Sequence, residues 1–303
     1  MITLRAENLK KKYSKKEVIK GIQFDLPANT CIALLGANGA GKTTVLQMLA
    51  GIIHPTEGQI IVNGSASIKK RRTAIGYLPQ NPAFFDWMTG LEYLIYSTRL
   101  TGATKKAAYD RALSLLETVG LGDAGNNRIA QYSGGMRQRL GIAQAITHQP
   151  DILLLDEPVS ALDPVGRREV LTLFQQLKKH TTVFYSTHIL HDAEEVSDEI
   201  IFLDRGQIVE GGSLQSLKKK YKKNKLSIVF EEDIQIVMAQ LRSAFPDFKM
   251  ESEGQIIHIF SEDCYAAQQL LMKEVLARNW RTLKFEISST SLEEMFLKVA
   301  DQK

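Results

Sequence analysis

CIALLGANGAGKTTVLQML, residues 31–49, sets an apolar run against three glycines, a lysine and a second apolar run. CIALLG reads as a short buried strand ended by glycine. KTTVLQMLAGII, residues 42–53, reads as a helix with Val45, Leu46, Leu49 and Ile53 on one side. Glycine is costly in ordered structure unless the backbone needs positive φ or something must approach it closely. Gly36, Gly39 and Gly41 therefore mark either a tight turn or a ligand lying against the main chain. The spacing decides for the ligand: Gly36 to Thr43 fits G-x-x-x-x-G-K-[ST], between a strand and a helix. Backbone N–H groups in such a loop converge on an anion, and the helix N-terminus adds partial positive charge. Lys42 is then expected to reach the β- and γ-phosphates of a nucleotide, and the Thr43 hydroxyl to hold Mg²⁺.

PDILLLDEPVSALDP, residues 150–164, supplies the carboxylates such a site needs. Ile152 to Leu155 read as a second buried strand, with Asp156 and Glu157 at its C-terminal end, where ligands of open α/β sheets bind. Asp156 fits a Mg²⁺ ligand. Glu157 fits a group that positions or deprotonates an attacking water. Standing alone, the stretch would read as an acidic turn closed by Pro158. A third apolar run, TTVFYSTH, ends at His188, which is expected to reach the γ-phosphate if the three strands are neighbours. AQYSGGMRQRLGIAQAI, residues 130–146, opens a helix with Ser133, Gly134 and Gly135. Ser133 suits an N-cap, and the bare helix end suits a second phosphate contact. Local physics alone leaves open a turn and a cap.

Taken in order, GANGAGKTT, Gln80 in IGYLPQ, YSGGMRQRL, ILLLDEP, SALD and STH resemble the nucleotide-binding subunit of ATP-binding cassette (ABC) transporters. The resemblance implies a P-loop NTPase cassette of α/β class: a RecA-like core with a β-subdomain and a helical subdomain. It implies Gly36, Asn38, Gly39, Gly41, Lys42, Thr43 and Thr44 as phosphate and Mg²⁺ contacts, and Tyr13 as the aromatic that stacks on adenine. A plain edge-strand tyrosine remains the alternative for Tyr13. Gln80 matches the residue that meets Mg²⁺ and the attacking water, Asp156 the Mg²⁺ carboxylate, Glu157 the catalytic base and His188 the switch histidine. Ser133, Gly134 and Gly135 match the signature that contacts the γ-phosphate bound by the other subunit, and Asp163 the aspartate of the dimer-contacting loop. The implied machine is an ATP-dependent head-to-tail dimer, a homodimer being allowed because both sites look intact. It would work peripherally, on the cytoplasmic face of the cell membrane, with a separate integral-membrane permease subunit.

The signature departs from the common LSGGQ by Tyr132 and Met136, the latter removing a polar side chain near the ribose. YSGGM, and SLEEMFLKV at residues 291–299, resemble the subfamily of bacitracin-type multidrug and sodium exporters, which favours export. The alternative is a soluble ABC-type ATPase acting on DNA, ribosomes or cofactor assembly. The absence of a heptad run between loop and signature, and the single cassette, weigh against it.

Composition agrees with a soluble globular chain. The 303 residues are 44% hydrophobic and 24% charged, with a net charge of +4, too small to argue for nucleic acid. Two scattered cysteines, Cys31 and Cys264, sit among apolar neighbours and read as buried thiols, not a disulfide framework. MITLRAENLKKKY lacks the apolar stretch of a signal peptide, and no apolar run is long enough to span a membrane.

The domain reading places the cassette at residues 1–217, with its helical part at about 84–150. Residues 84–120 read as helices, with Phe84, Phe85, Trp87 and Met88 clustered in a turn-rich stretch. About half of that cluster is expected in the core, the rest in a groove for a membrane-subunit helix. KKKYKKNK, residues 218–225, reads as a solvated linker, with attraction to anionic lipid as the lesser reading. Residues 226–303 carry eight basic and thirteen acidic residues and read as β-α-β-β-α-β plus a last helix. That pattern fits a small α+β, ferredoxin-like domain, here expected to be regulatory or dimerising.

Overall fold

The computed structural model describes residues 2–14, 16–160, 162–221, 224–261 and 263–289. Its elements run β1 (Ile2–Tyr13), β2 (Lys16–Pro27), β3 (Cys31–Leu35), α1 (Lys42–Ala50), β4 (Glu57–Val62), α2 (Ile68–Ala74), β5 (Ile75–Leu78), α3 (Gly90–Leu100), α4 (Lys105–Thr118), α5 (Gly134–Ala145), β6 (Ile152–Leu155), α6 (Pro164–Leu177), β7 (Thr182–Thr187), α7 (Leu190–Val196), β8 (Glu199–Asp204) and β9 (Gln207–Ser213). After these come α8 (Leu214–Tyr221), β10 (Asn224–Phe230), α9 (Ile234–Ala244), β11 (Lys249–Glu253), β12 (Ile256–Phe260), α10 (Cys264–Ala277) and β13 (Thr282–Ser289). The chain divides into two compact units at Leu214/Gln215.

The first unit holds a six-stranded sheet ordered β5-β6-β7-β3-β8-β9, parallel except at the β8–β9 hairpin. Strands β3, β6 and β7 are buried at every position, which is why each reads as an unbroken apolar run. A separate antiparallel sheet, β2-β1-β4, is the β-subdomain. Between the two sheets lies α1. It has nine residues and no side-chain cap, too short to persist alone. Packing holds it: Val45, Leu46, Met48 and Leu49 are fully buried, each contributing about 1.5–3 kcal/mol. The same core cluster takes in Leu4, Leu9 and Leu26 from one sheet and Ile32, Leu34, Ile152 and Leu154 from the other.

Three expectations change. The first helix ends at Ala50, not Ile53, because Gly51 takes the left-handed conformation (φ 73°) and its N–H bonds back to Met48 O. Ile53 still packs, partly buried, against the core from outside the helix. Residues 84–89 are a loop, and α3 starts only at Gly90. Thr89 closes a capping box there: its hydroxyl accepts from Glu92 N–H at 3.1 Å while its own N–H donates to the Glu92 carboxylate at 2.9 Å. The lysine-rich stretch is not a free linker over its described part, since Lys218–Tyr221 complete α8 and Asn224 and Lys225 open β10.

From Gln215 onward the second unit has an antiparallel sheet ordered β11-β12-β10-β13. With α9 and α10 between strands, this is the ferredoxin-like β-α-β-β-α-β arrangement. Leu226, Ile228, Phe230, Ile257 and Ile259 alternate onto one face and meet Val237, Leu241 and Leu271 of the helices. The expected last helix, residues 291–299, lies outside the described residues. Both cysteines are buried and free.

Candidate nucleotide site

The three glycines of the opening stretch have three different reasons. A Cβ on Gly36 would lie 2.4 Å from the backbone oxygen of Leu203, so this glycine lets β8 approach the loop. Gly41 (φ 109°) lies under Ile19, whose Cδ1 would be 2.6 Å from a Cβ. Gly39 (φ 80°) has nothing within 4 Å of that position, and leaves the loop's open side clear. The loop is pinned from behind by Gly206, whose N–H donates to Ala40 O at 3.0 Å and whose carbonyl accepts from Lys20 N–H at 2.9 Å. Since the Gly36 contact is with backbone and cannot rotate away, Gly36→Ala is expected to destabilise the chain by about 1–3 kcal/mol. A urea unfolding midpoint equal to the parent's would contradict this.

A cavity of about 440 Å³ opens over the loop, lined by Asn38, Gly39, Gly41, Lys42, Thr43, Thr44, Gln80, Glu157 and Val18. Lys42 is buried; its Nζ donates to Gly36 O at 2.8 Å and meets Glu157 Oε1 at 3.2 Å. The other Glu157 oxygen accepts from His188 Nδ1–H at 2.9 Å. The strand order explains the meeting: β7 lies between β6 and β3, so the residues that follow all three strands share one edge. Gln80 follows β5 at the same end.

Glu157 sits in the left-handed region (φ 49°), an unfavourable place for a side chain of this size. Its N–H donates to Ser186 Oγ at 2.8 Å, and the same hydroxyl donates to Asp156 Oδ1 at 2.8 Å. Ser186 thus holds both carboxylate residues in place. Along the chain, the one signal for Ser186 is its position two residues before His188 in the YSTH run. Val18, reaching the cavity from the other sheet, carries no sequence signal.

Asp156 is 1% exposed. Burial pushes its carboxyl up from the ordinary value, and hydrogen bonds from the Ser186 and Thr43 hydroxyls pull it back. A buried carboxylate beside a hydroxyl, with an amide from Gln80 on the same cavity, is a hard oxygen donor set that fits Mg²⁺. Among the described residues no three His, Cys, Asp or Glu side chains gather into a metal cluster. The remaining ligands for such an ion would be phosphate oxygens and water.

His188 and Asp156 are not in the cavity lining but bond respectively to Glu157 and Thr43, which are; other expected residues lie further apart. Tyr13 ends β1, 46% exposed, with Lys11 Nζ 5.0 Å from its ring centroid. Ser133 caps α5, its hydroxyl accepting from Met136 N–H at 3.2 Å, and Gly134 is open on the side where a Cβ would stand. Asp163 caps α6 by accepting from Gly166 N–H at 2.9 Å. Tyr132, the unusual signature residue, is buried; its hydroxyl donates to Ala124 O at 2.8 Å and would stand 2.2 Å from a Cβ on Gly90. The aromatic cluster divides: Phe84 packs edge-on to Tyr93 at 5.2 Å, whereas Phe85 and Trp87 are exposed, with Phe85 5.9 Å from the exposed Tyr96.

A glycine loop between a buried strand and a helix, with a lysine, two carboxylates and a histidine converging on it, defines a P-loop nucleotide hydrolase of the cassette type. Residues 19–160 match the ABC transporter family, and residues 212–300 match the C-terminal domain of ATP-binding proteins like DrrA1-3. The ABC transporter ATP-binding protein YxlF of Bacillus subtilis (strain 168) is 43% identical, over 98% of this chain and 99% of the relative. The bacitracin transport ATP-binding protein BcrA of Bacillus licheniformis is 32% identical over 98% and 96%. A solved dimeric, post-hydrolysis ATP-binding cassette bound to ADP and Pi superimposes with a TM-score of 0.63 at 25% identity, covering 70% of this chain and 98% of that one. The chain belongs to the ATP-binding proteins of ABC transporters and is an ATPase. Among the described residues no helix is long and apolar enough to cross a membrane. The soluble, non-transport alternative is not favoured by these relatives.

Proposed function

We propose that this chain drives export through a separate membrane subunit, as one half of an ATP-closed head-to-tail dimer of identical chains. The observation that carries the reading is that Lys42 and Glu157 line one cavity, with His188 bonded to Glu157, while Ser133 and Gly134 stand open elsewhere. One chain's α5 terminus then completes the partner's site. Its partial positive charge and free N–H groups suit a γ-phosphate.

In this reading the loop N–H groups and Lys42 hold the β- and γ-phosphates, and Tyr13 stacks on the adenine. Glu157 takes the proton of the attacking water. His188, holding Glu157 through Nδ1–H, orients it, and as an imidazolium would also donate Nε2–H to a γ-phosphate oxygen. Thr43, Asp156 and Gln80 would hold Mg²⁺, which when bound neutralises phosphate charge. Similarity to a bacitracin transport protein supports export of a drug-like cargo, with the chain working at the inner face of the cell membrane.

The exposed Phe85–Trp87–Tyr96 patch is the proposed seat of a membrane-subunit helix. The test is to isolate the tagged chain from mild-detergent extracts and identify its partners. A stoichiometric polytopic membrane protein supports the reading; recovery only with ribosomal or DNA-bound proteins overturns it. Phe85→Ser with Trp87→Ser is expected to abolish that co-purification while leaving ATP affinity at the parent value. Loss of ATP affinity instead would assign the two rings to the core.

A further inference from the structure

The strongest unexplained group outside the cavity is Asp192, on the first turn of α7. It is 1% exposed, yet among the described residues its Oδ2 has no hydrogen-bond partner. Its other oxygen, Oδ1, receives both Arg167 Nε, at 2.6 Å, and Arg167 Nη2. Burial pushes the Asp192 carboxyl up, and Arg167 opposes the shift. An ion pair that buries its carboxylate and leaves one oxygen unsatisfied is a poor way to gain stability.

The position of the pair suggests its use. Glu157 lies at the head of a short connection that runs through Asp163 into α6, where Arg167 sits on the first turn. His188 lies at the head of a two-residue connection into α7, where Asp192 sits on the first turn. Glu157 and His188 touch at 2.9 Å at one end, and Arg167 and Asp192 touch at the other. The four residues close a ring through two strand-to-helix connections. Tyr185 Oη, which also meets Ser197 Oγ at 2.8 Å, donates to Asp192 O at 3.4 Å.

We propose that Arg167 and Asp192 are positioning residues for hydrolysis: by pinning α6 to α7 they fix the reach of His188 to Glu157. The pair also joins the Asp163 loop to the histidine, so a displacement of that loop is passed to His188 through α6 and α7. This inference rests on the reading of Glu157 and His188 as the hydrolytic groups.

The test measures ATP hydrolysis, nucleotide affinity and thermal unfolding of the full-length chain carrying Arg167→Met, Arg167→Lys, Asp192→Asn, or Arg167→Met with Asp192→Asn. Arg167→Met and Asp192→Asn are each expected to lower kcat about tenfold or more, with nucleotide Kd within about twofold of the parent. The double variant is expected to be no slower than the slower single, as for two residues acting through one contact. Arg167→Lys is expected to restore most of the rate, since the ammonium can still meet Oδ1. Parent-like kcat in Arg167→Met overturns the proposal. So do losses that multiply in the double variant, or losses in kcat that track the unfolding temperature without rescue by lysine. Arg167 is partly exposed, so its series decides even if Asp192→Asn does not fold. His188→Ala, measured alongside, separates the two readings. If it hydrolyses at the parent rate, the site assignment fails; if it is slow while Arg167→Met is fast, only the pair's role fails.

Discussion

Glu157→Gln is expected to bind ATP, to hydrolyse it about 10²–10⁴-fold more slowly, and to accumulate as an ATP-dependent dimer. The amide keeps the shape of the side chain but cannot accept the proton of water. Its nitrogen also disturbs a site in which both carboxylate oxygens are engaged, one by Lys42 at 3.2 Å and one by His188 at 2.9 Å. Removing a negative charge from beside the γ-phosphate further favours the closed state. Phosphate release and size-exclusion chromatography with ATP measure the two effects together. Hydrolysis at the parent rate would show that Glu157 is not the base.

Lys42→Ala should fail one step earlier. Lys42 is 6% exposed and is the cation facing the carboxylate of Glu157, itself 8% exposed. Removing it deprives a triphosphate of its charge partner and leaves Glu157 buried beside that triphosphate. Losing one member of a buried, hydrogen-bonded charge pair costs about 2–5 kcal/mol, roughly 30-fold or more in the nucleotide Kd. Equilibrium binding of a fluorescent ATP analogue reads this directly. Parent-like affinity in a folded Lys42→Ala chain would remove the lysine from the phosphate site. The two variants therefore separate by stage: one holds nucleotide without turning it over, the other does not hold it.

What is legible in the sequence follows from range. The loop, the three buried strands and the Ser133 cap are each written in a few adjacent residues, and their physics is local. Ile53 and residues 84–89 fall outside the helices that their apolar spacing suggests. One backbone conformation at Gly51, and one capping box at Thr89, outweigh that spacing. Ser186 escapes a reading along the chain because its role depends on β7 lying beside β6, which no spacing reveals. The glycines are legible as a loop, but the reason for Gly36 is contact with Leu203, far away in sequence. The lysine-rich stretch misleads because charge describes solvation and not chain conformation: α8 can carry three lysines on its last turns and remain a helix.

The fit between Tyr132 and Gly90 sets an order on how this protein could change. The tyrosine hydroxyl occupies the space that a side chain at position 90 would fill. A lineage could trade Tyr132 for a smaller residue at any time, giving up one hydrogen bond and leaving a gap. A methyl group at position 90 would require the Tyr132 ring to shift and give up its bond to Ala124 O, unless that trade had been made first. Two positions 42 residues apart in the sequence are thus coupled, and the glycine is released more cheaply second than first.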